Sequence, residues 1–188
     1  MNVISVNRAT VRDTVINGRH VMTAIAKQPA AGAVAVRRLG LDGDEQADLS
    51  VHGGIAKAVY AYPHEHYAFW QTVRAQARVS LWDEALPPGA LGENLTVEGL
   101  LEERLWIGDR LRLPNCVLAV SEPRFPCFKF NAAMGFAQAT KLMVQSGYCG
   151  SYLAVIEPGT VASGEAIELI PGPREVGLRE LFRARARA

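Results

Sequence analysis

Apolar runs in this chain are short, and turn residues end them. Residues 3–6, 20–26, 33–39, 58–62, 95–97, 105–107, 110–113, 117–120, 151–156 and 166–170 each carry a few apolar side chains. Gly, Pro or Asp clusters separate most of them, which predicts strands of ordinary length. Within residues 20–26, Val21, Thr23 and Ile25 alternate with Met22, Ala24 and Ala26, as a strand requires. Only two substantial stretches read as helical. Tyr67, Trp70, Gln71 and Arg74 fall at helical spacing within residues 64–77. Residues 132–144 have helical composition, with Gly147 as their stop. Gly108-Asp109 suits a tight hairpin turn between residues 105–107 and 110–113. Many short strands and few helices predict a mostly β fold, a β-rich α+β domain built as a barrel or sandwich. The last residues, 178–188, predict one short helix whose Arg-Ala end frays into solvent.

Bulk properties narrow the class. The 188 residues suit one domain, or one domain with a small appendage. Hydrophobic residues at 49% and charged residues at 21% allow a full core. A formal net charge of +1 gives no reason to expect non-specific nucleic-acid binding. The first residues lack a basic segment followed by a long apolar one, so no signal peptide is expected. No apolar run approaches the ~18 residues of a membrane span. Cys116, Cys127 and Cys149 are odd in number and form no CxxC pair. That argues against a disulfide framework and a structural zinc site, and a cytoplasmic location without zinc is the expectation.

The stretch with most chemistry is Ser121-Glu122-Pro123-Arg124-Phe125-Pro126-Cys127-Phe128-Lys129-Phe130. Each proline fixes its own φ and pushes the residue before it towards extended backbone, so Cys127 leaves a stiff segment. Arg124 and Lys129 place positive charge near the thiol, and nearby cations favour the thiolate. Cys127 is therefore expected to be the most reactive of the three cysteines. Cys116, at the start of an apolar strand, is expected to be buried, and Cys149, in a Gly-flanked turn, is its expected competitor. The segment alone also fits a buried core cysteine beside a proline-rich turn.

Two further stretches bear on that choice. Gly40-Leu41-Asp42-Gly43-Asp44-Glu45-Gln46-Ala47-Asp48 leads into His52-Gly53-Gly54-Ile55-Ala56-Lys57. Paired glycines let backbone approach a ligand and expose N–H groups that can hold an anion, and His52 and Lys57 bracket them. The same residues also suit a plain Gly-Gly turn. Leu91-Gly92-Glu93-Asn94-Leu95-Thr96-Val97 enters a strand through a polar turn.

Together, and in this order, these stretches resemble the MOSC domain, the family named after the C-terminal part of molybdenum-cofactor sulfurases, and within it the YiiM-like bacterial branch. The matching residues are Thr23 with the following Ala24-Ile25-Ala26-Lys27-Gln28-Pro29, the turn around Asp42 and Asp44 with Gln46 and Asp48, His52-Gly53-Gly54, Gly92-Glu93-Asn94-Leu95-Thr96, Ile107-Gly108-Asp109 and Pro123-Arg124-Phe125-Pro126-Cys127. The resemblance implies a MOSC domain over residues 1–174, followed by a short helix or tail over 175–188. It implies a MOSC-like β-barrel with a few peripheral helices and one essential cysteine.

The resemblance also implies a function. Such proteins are similar in binding the molybdenum cofactor (molybdopterin) or carrying sulfur for it, and YiiM-like members look like reductases of N-hydroxylated compounds such as hydroxylaminopurines. The family at large also has an association with pyridoxal phosphate. Carried over, Cys127 is the catalytic residue and the molybdenum ligand, a role suited to a soft, anionic thiolate. Arg124, Lys129, Lys57, His52 and the Gly53-Gly54 backbone would cradle the pterin phosphate, and Asn94 would read a polar edge of the pterin. No dinucleotide fingerprint or ferredoxin cysteine run is present, so electrons would come from a separate donor protein. A homodimer is compatible with this reading. The alternative is a non-catalytic carrier of the cofactor or of a Cys127 persulfide. A third reading, a zinc hydrolase using His52, His64, His66 and Cys127, is disfavoured because His64 and His66, two apart, do not share a helix face. Departures from the family pattern are Glu122 before the Pro-Arg pair, Gly164-Glu165, Cys149 in the Gly147–Gly150 turn, and the short C-terminus.

Overall fold

A computed structural model describes residues 1–48 and 53–187. Among these the chain forms thirteen strands and four α-helices. The strands are β1 Asn2–Arg8, β2 Arg12–Ile16, β3 Arg19–Thr23, β4 Gln28–Pro29, β5 Val34–Arg37, β6 Gly40–Leu41, β7 Val59–Pro63, β8 Leu95–Glu98, β9 Arg110–Arg112, β10 Val117–Pro123, β11 Ser151–Glu157, β12 Gly159–Val161 and β13 Glu168–Ile170. The helices are α1 Tyr67–Gln76, α2 Phe128–Met134, α3 Ala139–Ser146 and α4 Leu178–Arg185. No helix among the described residues is long and apolar enough to cross a membrane.

The main sheet has eight strands in the order β13-β9-β10-β11-β7-β8-β1-β4. Its middle strand, β7, is buried along its whole length. Alternation along β7 divides the core: Val59 and Ala61 join an aliphatic cluster on one face, Tyr60 and Tyr62 an aromatic cluster on the other. β7 and β8 run parallel, which a hairpin cannot connect. The crossover carries α1, whose buried Tyr67 and Trp70 pack on the aromatic face. Trp70 Nε1 donates to the Tyr62 hydroxyl at 2.6 Å, so the indole is buried with its polar atom satisfied.

This is the sheet-rich α+β architecture expected, but no closed barrel forms among the described residues. The sheet ends at β13 and β4. It curls towards closure where Val3 donates to Glu165 O at 2.9 Å and Asn2 bridges Ala166. No ladder completes the ring, because β13 pairs only with β9.

Three local expectations also change. Residues 105–107 do not pair with β9 across Gly108-Asp109. Trp106 bridges Gly177 instead, and Leu178 donates to Leu105 O at 2.9 Å, so this segment holds the chain entering α4. Asp109 organises the turn from within: it is fully buried and accepts from Trp106 N–H at 3.0 Å and Gly172 N–H at 2.8 Å. The expected helix over 132–144 is two helices, because Gly135 adopts φ 82° and ends α2. Finally, β3 ends at Thr23 and pairs with β2, a strand not anticipated, whose first four residues are exposed.

Candidate active site

A cleft of about 100 Å3 opens on the aromatic side of the sheet. Tyr60 of β7 and Tyr152 of β11 are among its lining residues, together with residues from Thr23 to Lys27 and from Asp44 to Asp48. Of the residues singled out in the sequence, Lys57, Asn94, Arg124, Cys127 and Lys129 line this same cleft. Gly53 and Gly54 are not among the lining residues. The Gly54 N–H donates to Gln46 Oε1 at 2.9 Å, so it serves the loop itself. His52 lies outside the described residues.

The Cys127 segment extends β10 beyond the sheet. Pro123 closes the strand, and the chain reaches Cys127 in extended conformation, φ −123° and ψ 178°, immediately before α2. Cys127 is half-buried, whereas Cys116 and Cys149 are buried. Burial, with a smaller contribution from Glu165, pushes the Cys116 thiol up to about 11. Burial and then Glu102 push the Cys149 thiol well above its ordinary range. The Gly-flanked turn therefore hides Cys149 rather than exposing it.

Arg124 is 5% exposed. Its guanidinium carbon lies 4.9 Å from the centre of the Tyr60 ring and 5.0 Å from that of Phe130. Burial opposes its charge, but Tyr60, Tyr152 and Cys127 together outweigh burial and hold the group above its ordinary range. Its Nη1 is buried and has no hydrogen-bond partner among the described residues. A buried, unmatched donor costs about 1–3 kcal/mol, so a cation placed this way is suited to an incoming anion.

The neighbouring cations are less free. Lys129 Nζ donates to Met22 O at 2.9 Å, tying α2 to β3. Lys57 Nζ lies 4.0 Å from Glu122 Oε2 and 5.8 Å from the centre of the Tyr152 ring. Glu122, the acidic departure noted in the sequence, is not among the lining residues. Its carboxylate meets Arg185 of α4 at 3.2 Å as well as Lys57. Phe182 of α4 is fully buried and stacks on Phe125 with ring centres 4.8 Å apart. The C-terminal helix thus braces the strap that carries Arg124 and Cys127.

Asn94 holds the cleft together from inside. Its Oδ1 accepts from Tyr60 N–H at 3.0 Å, and its Nδ2 donates to Asn7 O at 3.3 Å and Asp44 Oδ2 at 2.8 Å. Both amide hydrogens are therefore committed within the protein. Beside it, Glu93 is fully buried and accepts from Gly89 N–H, Leu91 N–H and the hydroxyls of Thr96 and Tyr67. That explains why Gly92-Glu93-Asn94 is a turn with polar residues: its side chains supply the hydrogen bonds that the turn backbone needs.

Two cleft residues were not marked from the sequence as site residues. Lys27 and Asp44 form a buried ion pair, with side chains 8% and 7% exposed. Asp44 Oδ1 also accepts from Ala9 N–H at 2.8 Å. Burial pulls Lys27 below the ordinary lysine range, and Asp44 opposes that pull. The only signal in the sequence was that both fall inside motif stretches. His66, one of the histidines of the hydrolase reading, lies elsewhere: it is buried, bonds Glu102 at 2.8 Å and stacks on Tyr148. Among the described residues no group of three or more His, Cys, Asp and Glu side chains is placed to hold a metal ion.

The fold and this cleft define a sheet-rich domain in which one accessible cysteine shares a cleft with a buried arginine whose Nη1 is unmatched among the described residues. The MOSC domain model matches residues 48–168, and the chain belongs to the MOSC domain family. It is 41% identical over 169 residues to the uncharacterized protein YflK of Bacillus subtilis, covering 90% of this chain and 73% of that protein. It is 36% identical over 157 residues to a protein named reductase from Gibberella moniliformis, covering 83% of this chain but 27% of that protein. The crystal structure of YiiM from Geobacillus stearothermophilus superposes with a TM-score of 0.77 at 27% identity, covering 98% of this chain and 83% of that one.

Proposed function

We propose that this protein is a molybdenum-cofactor-dependent reductase of N-hydroxylated compounds, of the hydroxylaminopurine type, with Cys127 as the metal ligand. The observation that carries the reading is the shared cleft: a half-buried thiol and a buried guanidinium with an unmatched Nη1 line it together. Membership of the MOSC family and likeness to a protein named reductase support it.

The residues present fit the cofactor. A thiolate is a soft donor for a metal centre. Arg124 would take the pterin phosphate, with Lys57 and Lys129 adding positive charge at the cleft. Tyr60 and Tyr152 line the same cleft and add aromatic surface to it. When bound, the cofactor would supply the two electrons that reduce an N–OH group to N–H and water. Electrons would reach it from a separate donor protein. The chain's own task would be to hold the cofactor by its sulfur and its phosphate and to admit the substrate beside them.

The test is reduction of N-hydroxylaminopurine with an artificial electron donor while cofactor is titrated into wild type and Cys127→Ser. A serine hydroxyl stays protonated at neutral pH and is a poor replacement for the thiolate. Cys127→Ser is expected to be inactive at saturating cofactor, with its fold intact by circular dichroism. Wild-type turnover in that variant would refute the ligand assignment. A wild type that binds cofactor but reduces nothing with any donor would establish a carrier instead.

A further inference from the structure

We propose that Lys27, held by Asp44, is the residue that binds and protonates the departing hydroxyl oxygen of the N-hydroxylated substrate. This assignment rests on the reductase reading and adds a residue that lies outside the matched MOSC span.

Lys27 lines the cleft and is 8% exposed. An ammonium group has three donors and no acceptor. Lys27 Nζ gives one hydrogen bond, to Asp44, and no other among the described residues. Two buried donors therefore remain for an acceptor in the cleft. Asp44 cannot swing away with the lysine, because Ala9 N–H and the Asn94 amide fix its two oxygens at 2.8 Å each. The result is an ammonium held in one place, facing the cavity that also contains Cys127 and Arg124. Stability alone does not account for it, since a buried ion pair is often no more stable than the apolar residues that could replace it.

The chemistry calls for such a group. Reducing R–NH–OH to R–NH2 and water consumes two electrons and two protons. The N–O bond breaks, and hydroxide is a poor leaving group unless a proton reaches its oxygen. The other cleft donors suit this poorly. Arg124 does not release its proton in any accessible range. Burial raises both Tyr60 and Tyr152, which makes them weak acids. Burial acts on Lys27 in the opposite direction and loosens its proton. In the step proposed, the two electrons that the cofactor would supply when bound would become the lone pair on nitrogen as the N–O bond breaks. Lys27 gives its proton to the oxygen, which leaves as water. The nitrogen takes the second proton from solvent, and the open cleft lets solvent restore the ammonium.

The experiment compares ligand binding to the cofactor-loaded protein without reductant, so that no turnover occurs. N-hydroxylaminopurine and the corresponding aminopurine are titrated into wild type, Lys27→Met, and the double variant Lys27→Met with Asp44→Asn. The double variant removes the carboxylate charge that the single one leaves unpaired. Wild type is expected to prefer the hydroxylated ligand. Both variants are expected to lose that preference, by roughly ten- to a hundred-fold, as one charge-assisted hydrogen bond implies. A measurement on wild type needs no substitution: the 15N signal of the Lys27 ammonium should shift on adding the hydroxylated ligand and not the amino one. Unchanged preference in a folded variant, or a lysine signal indifferent to the ligand, would overturn the assignment while leaving wild-type reduction and the reductase reading in place. If wild type reduces no N-hydroxylated compound, the reductase reading fails and the Lys27 assignment fails with it.

Discussion

Arg124 separates a binding role from a structural one by magnitude. The informative substitution is Arg124→Met, which keeps an unbranched apolar stem and removes the charged head. Without ligand, two effects oppose each other. The guanidinium lies near 5 Å from the ring centres of Tyr60 and Phe130, and each such contact contributes about 0.5–2 kcal/mol. Against this, its buried Nη1 has no partner among the described residues, and losing an unmatched donor relieves about 1–3 kcal/mol. The two nearly cancel, so unfolding in urea should change by less than about 2 kcal/mol. Anion binding has no such compensation. Losing a charge-assisted contact to a phosphate should weaken it roughly ten- to a hundred-fold. The assay is urea unfolding with and without cofactor, where ligand stabilisation reports affinity by mass action. Excess cofactor should restore the activity of Arg124→Met, but not that of Cys127→Ser. A variant that loses more than about 3 kcal/mol, the scale of a core truncation, yet keeps its cofactor affinity would make Arg124 a packing residue and not a binding one.

Two further outcomes follow from the cysteines and from α4. Limiting iodoacetamide on native protein should label Cys127 first, read by mass spectrometry, and preferential labelling of Cys116 or Cys149 would contradict the geometry. Cys116, pushed up to about 11 from 9.0, should stay slow at pH 9, and its burial stabilises the fold below pH 9, an effect lost as pH rises from 9 towards 11. Phe182→Ala should cost about 3–5 kcal/mol in urea unfolding, because Phe182 is fully buried against Phe125. An unchanged midpoint would show that α4 does not brace the cysteine strap.

What could be read from the sequence follows from where each signal resides. β7 and β11 were legible because one face of each packs aliphatic residues and the other packs tyrosines. α1 was legible because Tyr67 and Trp70 share its buried face. β2 was not, because it is one arm of a hairpin with only Ile16 buried, and a strand with no buried face has no alternation to read. The break between α2 and α3 was missed because a glycine within helical composition reads as tolerated, whereas Gly135 sits at positive φ and ends the helix. The pairing of residues 105–107 with 176–178 is non-local, and no window of sequence contains it. The cleft follows the same division. Cys127 and Arg124 stood out because prolines and charges cluster around them. Lys27 and Asp44 did not, because a buried ion pair is made by two loops meeting in space.

The acidic Glu122 shows how a local misfit is resolved by distant chain. Next to a cleft proposed to take an anion, a carboxylate would weaken binding if it faced inward. Glu122 instead lies between Lys57 and Arg185, at 4.0 Å and 3.2 Å. Arg185 is in the last turn of α4, where a cation also complements the negative end of the helix dipole. The same helix sends Phe182 into the core against Phe125. One short helix thus offsets the charge of Glu122 and stiffens the strap that carries Arg124 and Cys127. Arg185 is half exposed and screened by solvent, so the pair itself adds little to stability. Its effect falls on the local field, where Arg185 and Lys57 together offset the charge of Glu122 beside the cleft.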